Sequence, residues 1–228
     1  MRIIYLLFAI LICITGCSRG NANTNSSFTT GDANSDEPNI DRTPVADEKF
    51  APLSFVKWVE DGTHGLRKGR TFDNFIYTAQ YKPWPYIICE EQRKEEIPDS
   101  IAKKRLKELN GMQYVDLKIE LKEGGGELLK YKLQSPKEYE SRINYFSFGM
   151  QKDIQLIEGG DTLPCLLFHF ERVYNVAPYA TFLLAFPLGK DTKADKTLVF
   201  FDHGFNNGII KFFFDGRDIK NVPQLETL

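Results

Sequence analysis

The sequence predicts an α+β domain built on a mainly antiparallel sheet. Three observations carry that expectation: a strictly alternating segment at 115–122, a C-terminal half of short apolar runs separated by turns, and two amphipathic helical segments. The chain has 228 residues, 42% of them hydrophobic and 26% charged, with a formal net charge of −2. That composition is too apolar for a disordered chain and lacks the basic excess that nucleic-acid binding needs.

Taken in order, a first strand or pair of strands is expected at 53–60 and 72–81. A helix is expected from Asp99 to Asn110, where Ala102, Leu106 and Leu109 share one stripe and Asn110-Gly111 ends it. From Val115 to Lys122 apolar and charged residues alternate without a break, so one face is buried and the other wet. Glu123-Gly124-Gly125-Gly126 follows, and Leu129, Tyr131 and Leu133 then alternate with Lys130 and Lys132, which reads as the second arm of a hairpin. Ser135-Pro136-Lys137-Glu138 is a capping box with Pro at the first helical position, and Tyr139, Ile143 and Phe146 continue a second short helix behind it.

The C-terminal half holds apolar runs at 153–158, 163–173, 179–188, 197–202 and 209–215. Gly-, Asn- and Asp-rich turns separate them, and the spacing predicts an antiparallel meander. The unbroken apolar character of 163–170 and 179–186 predicts central strands covered on both faces.

The N-terminus carries an address. After Met1 and Arg2 comes the uncharged run 3–16, the length of a signal-peptide hydrophobic region and short of the roughly 20 residues a spanning helix needs. It ends in Ile14-Thr15-Gly16-Cys17, which resembles the lipobox of bacterial lipoproteins, with Ile where the motif usually has Leu. The resemblance covers the signal and lipobox alone. It implies cleavage before Cys17, acylation of that cysteine and a permanent membrane anchor. Ser18 follows the cysteine where an Asp would favour retention in the inner membrane, so the expected address is the outer membrane, facing the periplasm. The organisation expected is therefore a signal peptide at 1–16, the lipidated Cys17 with a polar tether to residue 51, and one domain from 52 to 228.

Candidate chemistry is sparse. Cys89 and Cys165 remain in a compartment where disulfides persist, and a bridge would close a loop of about 76 residues, an effect of order 4 kcal/mol; the alternative is two buried thiols. Zinc is disfavoured, because no CxxC and no histidine pair at ligand spacing occur, and neither GxSxG nor HExxH is present. Asp202-His203 could present a base at a turn, yet sequence neighbours at a strand end point to opposite faces. The most unusual segment is Gln80 to Tyr86, where Tyr81, Trp84 and Tyr86 on a Pro-stiffened backbone could form a platform for a sugar ring or peptide, or a lid over the core. No cofactor is implied. The reading favours an anchored, non-enzymatic lipoprotein that binds an envelope protein or glycan. The alternatives are a periplasmic hydrolase using Asp202 and His203, or an inhibitor or immunity-type lipoprotein.

Overall fold

The computed structural model describes residues 38–123, 126–171 and 177–228. The signal, the lipobox with Cys17 and the tether as far as residue 37 lie outside the described residues, as do Gly124-Gly125 and the turn at 172–176. The described residues group into one compact unit, and none of its described helices is long and apolar enough to cross a membrane.

The domain is α+β, with two antiparallel sheets packed face to face. The larger has the order β2-β3-β4-β8-β7, from β2 (Arg67–Phe72), β3 (Phe75–Lys82), β4 (Met112–Leu121), β8 (Tyr179–Pro187) and β7 (Leu167–Glu171). The smaller has the order β10-β9-β5-β6, from β10 (Gly208–Phe214), β9 (Lys196–Asp202), β5 (Ile154–Glu158) and β6 (Asp161–Pro164). The period-2 geometry of a strand sorts the faces. Tyr77 and Ala79 on β3, Val115, Leu117 and Ile119 on β4, and Phe182 and Leu184 on β8 are buried on the inner side. Ile154 and Leu156, Leu198 and Phe200, and Ile210, Phe212 and Phe214 answer them from the smaller sheet.

The alternating segment extends further than expected, from Met112 to Leu121, and lies between β3 and β8 in the larger sheet. The hairpin expected after it does not form. Leu128–Lys130 is instead a 3₁₀ turn in which the adjacent Leu128 and Leu129 are both buried, so the apparent alternation there marks no strand. The C-terminal strands are present but belong to both sheets. The run 163–173 breaks at Cys165-Leu166 into β6 on one sheet and β7 on the other, and β7 is an edge strand that leaves Leu166 and Leu167 half exposed rather than covered.

Both expected helices are found, α3 (Asp99–Leu109) and α4 (Pro136–Asn144), the latter capped by Ser135, whose Oγ accepts from the Glu138 amide. Three more join them: α1 (Pro52–Glu60), α2 (Trp84–Gln92) and the short α5 (Gly216–Lys220). The segment 53–60, expected as a strand, is helical because Phe55, Trp58 and Val59 bury one helical stripe behind Pro52 at the first turn.

The expected tether does not run free to residue 51. Arg42 Nε donates to Asp218 at 2.8 Å and its Nη2 to Asp215 at 3.2 Å, the Val45 amide donates to Asn221 Oδ1, and β1 (Lys49–Phe50) pairs in parallel with β11 (Gln224–Leu225). Residues 41–50 are thus strapped to the C-terminal end of the domain. Arg42→Ala should loosen this strap, because Asp218 is 2% exposed and loses the guanidinium that donates to its Oδ1. Hydrogen exchange would show faster amides at Val45 and Glu48; unchanged protection there would mean that β1 alone holds the segment.

Candidate functional site

The segment Gln80 to Tyr86 does not form a flat platform. It is the junction where β3 ends and α2 begins, and strand alternation sends its side chains to two sides of the larger sheet. Tyr81 points inward and is 8% exposed, and Lys82 points to the outer face. Trp84 opens α2, with its indole N–H donating to Met112 O at 2.8 Å. Tyr86 is buried on α2 with its hydroxyl on Glu60 Oε1 at 3.0 Å, away from the other two in role. Burial, with Glu90 and Glu60 close by, pushes its phenol above the ordinary range. The structure brings Tyr81 and Trp84 together and not Tyr86.

Two hollows flank this junction. The larger, about 650 Å³, is a cleft on the outer face of the larger sheet, walled by Ile87, Glu90 and Glu91 of α2 and Arg105 of α3. On its floor are Tyr114 and Asp116 of β4 and Leu183 of β8. Here Lys82 Nζ lies 2.7 Å from Asp116 Oδ2 and 2.7 Å from Glu90 Oε2. Arg105 is held in turn by Glu91 and Glu108 at 2.7 and 2.9 Å.

Burial opposes the charge on Lys82, but Asp116 and Glu90 more than offset it and hold its pKa above the usual lysine value. Burial lifts Asp116 to about 6; Lys82 opposes this, while Glu90 and Glu171 add to it. Burial is the largest effect, and the second carboxylate beside the one lysine adds to it, which is why the lysine does not restore Asp116 to the ordinary range. The native state therefore binds the Asp116 proton more tightly than the unfolded chain, so this group's contribution to stability falls as pH rises from 3.8 to about 6 and is flat outside that window. Asp116→Asn should flatten the corresponding slope in urea midpoints measured from pH 3 to 8; a slope unchanged by that substitution would assign it to another group.

The smaller hollow, about 180 Å³, opens beside the same junction and is lined by Tyr81, Trp84, Leu188, Ile219 and Val222 together with the polar Lys82, Gln113, Thr192 and Lys193. Gln113 is 2% exposed. Its Nε2 donates to Glu158 Oε2 at 2.8 Å and to Pro187 O at 3.0 Å, so both amide hydrogens are used and the amide orientation is fixed. Behind it Lys196, fully buried, donates to the same Glu158 oxygen. Gln113 Oε1 is buried and accepts no hydrogen bond among the described residues. An acceptor left so costs about 1–3 kcal/mol.

The chain matches no protein-family model, no curated protein and no solved structure.

Asp202 and His203 are not a pair. Asp202 is 2% exposed at the C-terminal end of β9 and accepts from Tyr77 Oη at 2.6 Å, Asn207 Nδ2 and the amides of Gly204 and Phe205. His203 turns outward, and its Nδ1 lies 2.9 Å from Asp153 Oδ2, an oxygen that also accepts from Tyr145 Oη at 2.9 Å. Asp153 is thus the carboxylate that orients the imidazole. Sequence spacing hides this pair because the partners are fifty positions apart.

The candidate bridge is likewise absent: Cys89, on α2, and Cys165, between β6 and β7, are both buried free thiols. Cys165 Sγ is occupied by Leu167 O at 3.1 Å. Burial pushes the two thiols up to about 11 and about 12, which leaves them unreactive at neutral pH. Among the described residues no His, Cys, Asp and Glu group is arranged to hold a metal ion.

Proposed function

We propose that this chain is a lipid-anchored protein of the bacterial cell envelope, held by Cys17 in the outer membrane and facing the periplasm. Its domain binds an envelope partner, protein or glycan, over the outer-sheet cleft. The observation that carries this reading is the ion arrangement in the cleft. Lys82 is fixed between two carboxylates with its pKa raised, so it is neither a nucleophile nor a base, both of which need an amine pushed toward neutrality. Charges already paired and held beside Leu183 and Tyr114 give a surface that mixes fixed polar groups with apolar ones, which suits recognition.

A photoreactive residue placed at Leu183, with Lys211 on the exposed side of β10 as control, tests the cleft in living cells. The expected result is a discrete adduct from position 183 alone, lost when Asp116→Arg is added. No adduct, or equal adducts from both positions, would remove the cleft from the proposal. For the anchor, Cys17→Ala should release the protein from the membrane fraction and leave its N-terminus without the acyl mass.

The hydrolase alternative keeps one observation in its favour, the Tyr145-Asp153-His203 chain, in which a carboxylate orients an exposed imidazole. In that reading Asp153, not Asp202, is the partner of His203. Ester hydrolysis by the purified chain that His203→Ala abolishes, with the urea midpoint unchanged, would favour it over the binding role.

A further inference from the structure

Each of the two packed sheets ends in two edge strands, and an edge strand presents unpaired N–H and C=O groups along its free side. The edges are β2 and β7 on the larger sheet and β10 and β6 on the smaller. Three of them are blunted. β2 carries Arg67, Lys68 and Arg70 and packs beside β10, with the Arg70 guanidinium 6.0 Å from the centre of the Phe212 ring. β10 carries Lys211 on its exposed parity, and β6 has four residues and ends in Pro164.

β7 has none of these devices. Its sequence, Leu167-Phe168-His169-Phe170-Glu171, holds no lysine, arginine, glycine or proline. Its backbone pairs with β8 on one side, and among the described residues the only other hydrogen bond it takes is the Cys165 thiol on Leu167 O. Phe168 and Phe170 share the inner face with their partners Leu184 and Phe182 on β8, yet they are only partly buried where those two are fully buried. Burial thus falls off at this edge.

The flank is apolar as well as unpaired. The π-helical turn Tyr145–Gly149 packs against β7, with the Phe146 and Phe170 ring centres 6.1 Å apart, and leaves Phe148 77% exposed. Leu166 and Leu167 are 56% and 50% exposed. On the outer face Leu167 and Glu171 belong to the wall of the cleft, and the charge of Glu171 acts on Asp116 together with that of Glu90. Edge and cleft are therefore one continuous surface.

The backbone of such an edge dictates what covers it. Donors and acceptors that alternate at strand spacing are matched by another extended polypeptide, and a sugar chain does not repeat them. Every pair in the larger sheet is antiparallel, so the added strand is taken to run antiparallel to β7. Period two then sets its side chains. A basic residue falls opposite Glu171 and, four positions later, an apolar residue opposite Leu167, while the intervening parity lies beside Phe170 and Phe168 and is apolar. A second copy of the chain fits less well, because two β7 strands paired about His169 set each Leu167 against a Glu171.

We propose that the envelope partner of the outer cleft is a protein that adds an extended segment to the free edge of β7, with a basic residue at Glu171 and an apolar residue at Leu167. This rests on the cleft reading and sharpens it, choosing protein over glycan.

The probe is the acetylated and amidated peptide Ser-Lys-Val-Thr-Val-Val-Ser, titrated into the full ¹⁵N-labelled chain. The expected result is saturable movement of the 167–171 amides with those of 208–214 on β10 still. N-methylation of all three Val amides removes donors of both parities while keeping the side chains, and should weaken binding by about tenfold. Glu171→Lys should weaken it by about threefold, and a peptide with Glu in place of its Lys should recover the loss. Equal binding of the N-methylated peptide would overturn strand addition. No movement of the β7 amides, or movement of β10 along with them, would overturn the edge as a site. A chain that sediments as a dimer and stays dimeric at saturating peptide would give the edge to a second copy and overturn the proposal. The cleft reading fails separately: an adduct from position 183 that carries a glycan keeps the cleft and overturns the strand, whereas peptide binding without any adduct at 183 removes the cleft and keeps the edge.

Discussion

Asp202→Ala should lower folding stability by about 3–5 kcal/mol, the cost of breaking a buried charged network by removing its centre. Asp202 closes the C-terminal end of β9 and gathers donors from three directions: Tyr77 across the sandwich on β3, Asn207 at the end of the β9–β10 connection, and the amides of Gly204 and Phe205 in the turn itself. Truncation leaves these donors facing an apolar surface formed by Phe200 and its neighbours. Tyr77 is fully buried, and burial together with Asp202 pushes its phenol far above the ordinary range, so it cannot relieve the loss by ionising. Tyr77→Phe removes one bond of several and should cost about 1–2 kcal/mol. The double variant should cost little more than Asp202→Ala alone, since the two changes remove the same interaction. Urea unfolding of the three variants reads these differences; a loss below about 1 kcal/mol for Asp202→Ala would mean that solvent reaches the site.

How much of this was legible in the sequence differs by element, and the differences have physical causes. The strand at 112–121 shows itself because its two faces differ in solvation along its whole length, and the capping box at Ser135 shows itself because it acts within four residues. The helix at 52–60 was hidden by composition: Phe55, Val56, Trp58 and Val59 favour a strand locally, and it is packing of the 55, 58 and 59 stripe that decides for helix. Pairing of β4 with β3 and β8 depends on segments far apart in sequence, which no local alternation specifies. For the site, Tyr81 and Trp84 stood out by type. Gln113, Lys196 and Asp202 carried a subtler signal, a polar residue on the buried parity of an alternating strand. Asp116 carried none, because a charge on the wet parity looks the same whether solvent or two helices cover it.

Lys196→Met is expected to destabilise the domain by about 3–5 kcal/mol, and the reason is the partner it leaves behind. Lys196 is 0% exposed and Glu158 is 3% exposed, paired across β9 and β5 at the end of the sandwich opposite Asp202. Removing the ammonium strands a carboxylate that already has one oxygen, Oε1, without a donor. Gly189 records how close the chain comes to that oxygen: a Cβ there would collide with Glu158 Oε1. The pair as a whole is another matter, because taking both ions out of water costs nearly as much as their attraction returns. Lys196→Met combined with Glu158→Leu should therefore recover to within about 1 kcal/mol of the unmodified chain, since Tyr81 and Phe214 already supply an apolar surround and Gln113 Nε2 keeps Pro187 O. Urea midpoints of the single and double variants decide it. If the double variant is as weak as the single, the pair holds the two sheets in register through the hydrogen bond Glu158 accepts from Gln113, and charge compensation alone does not explain why it is buried.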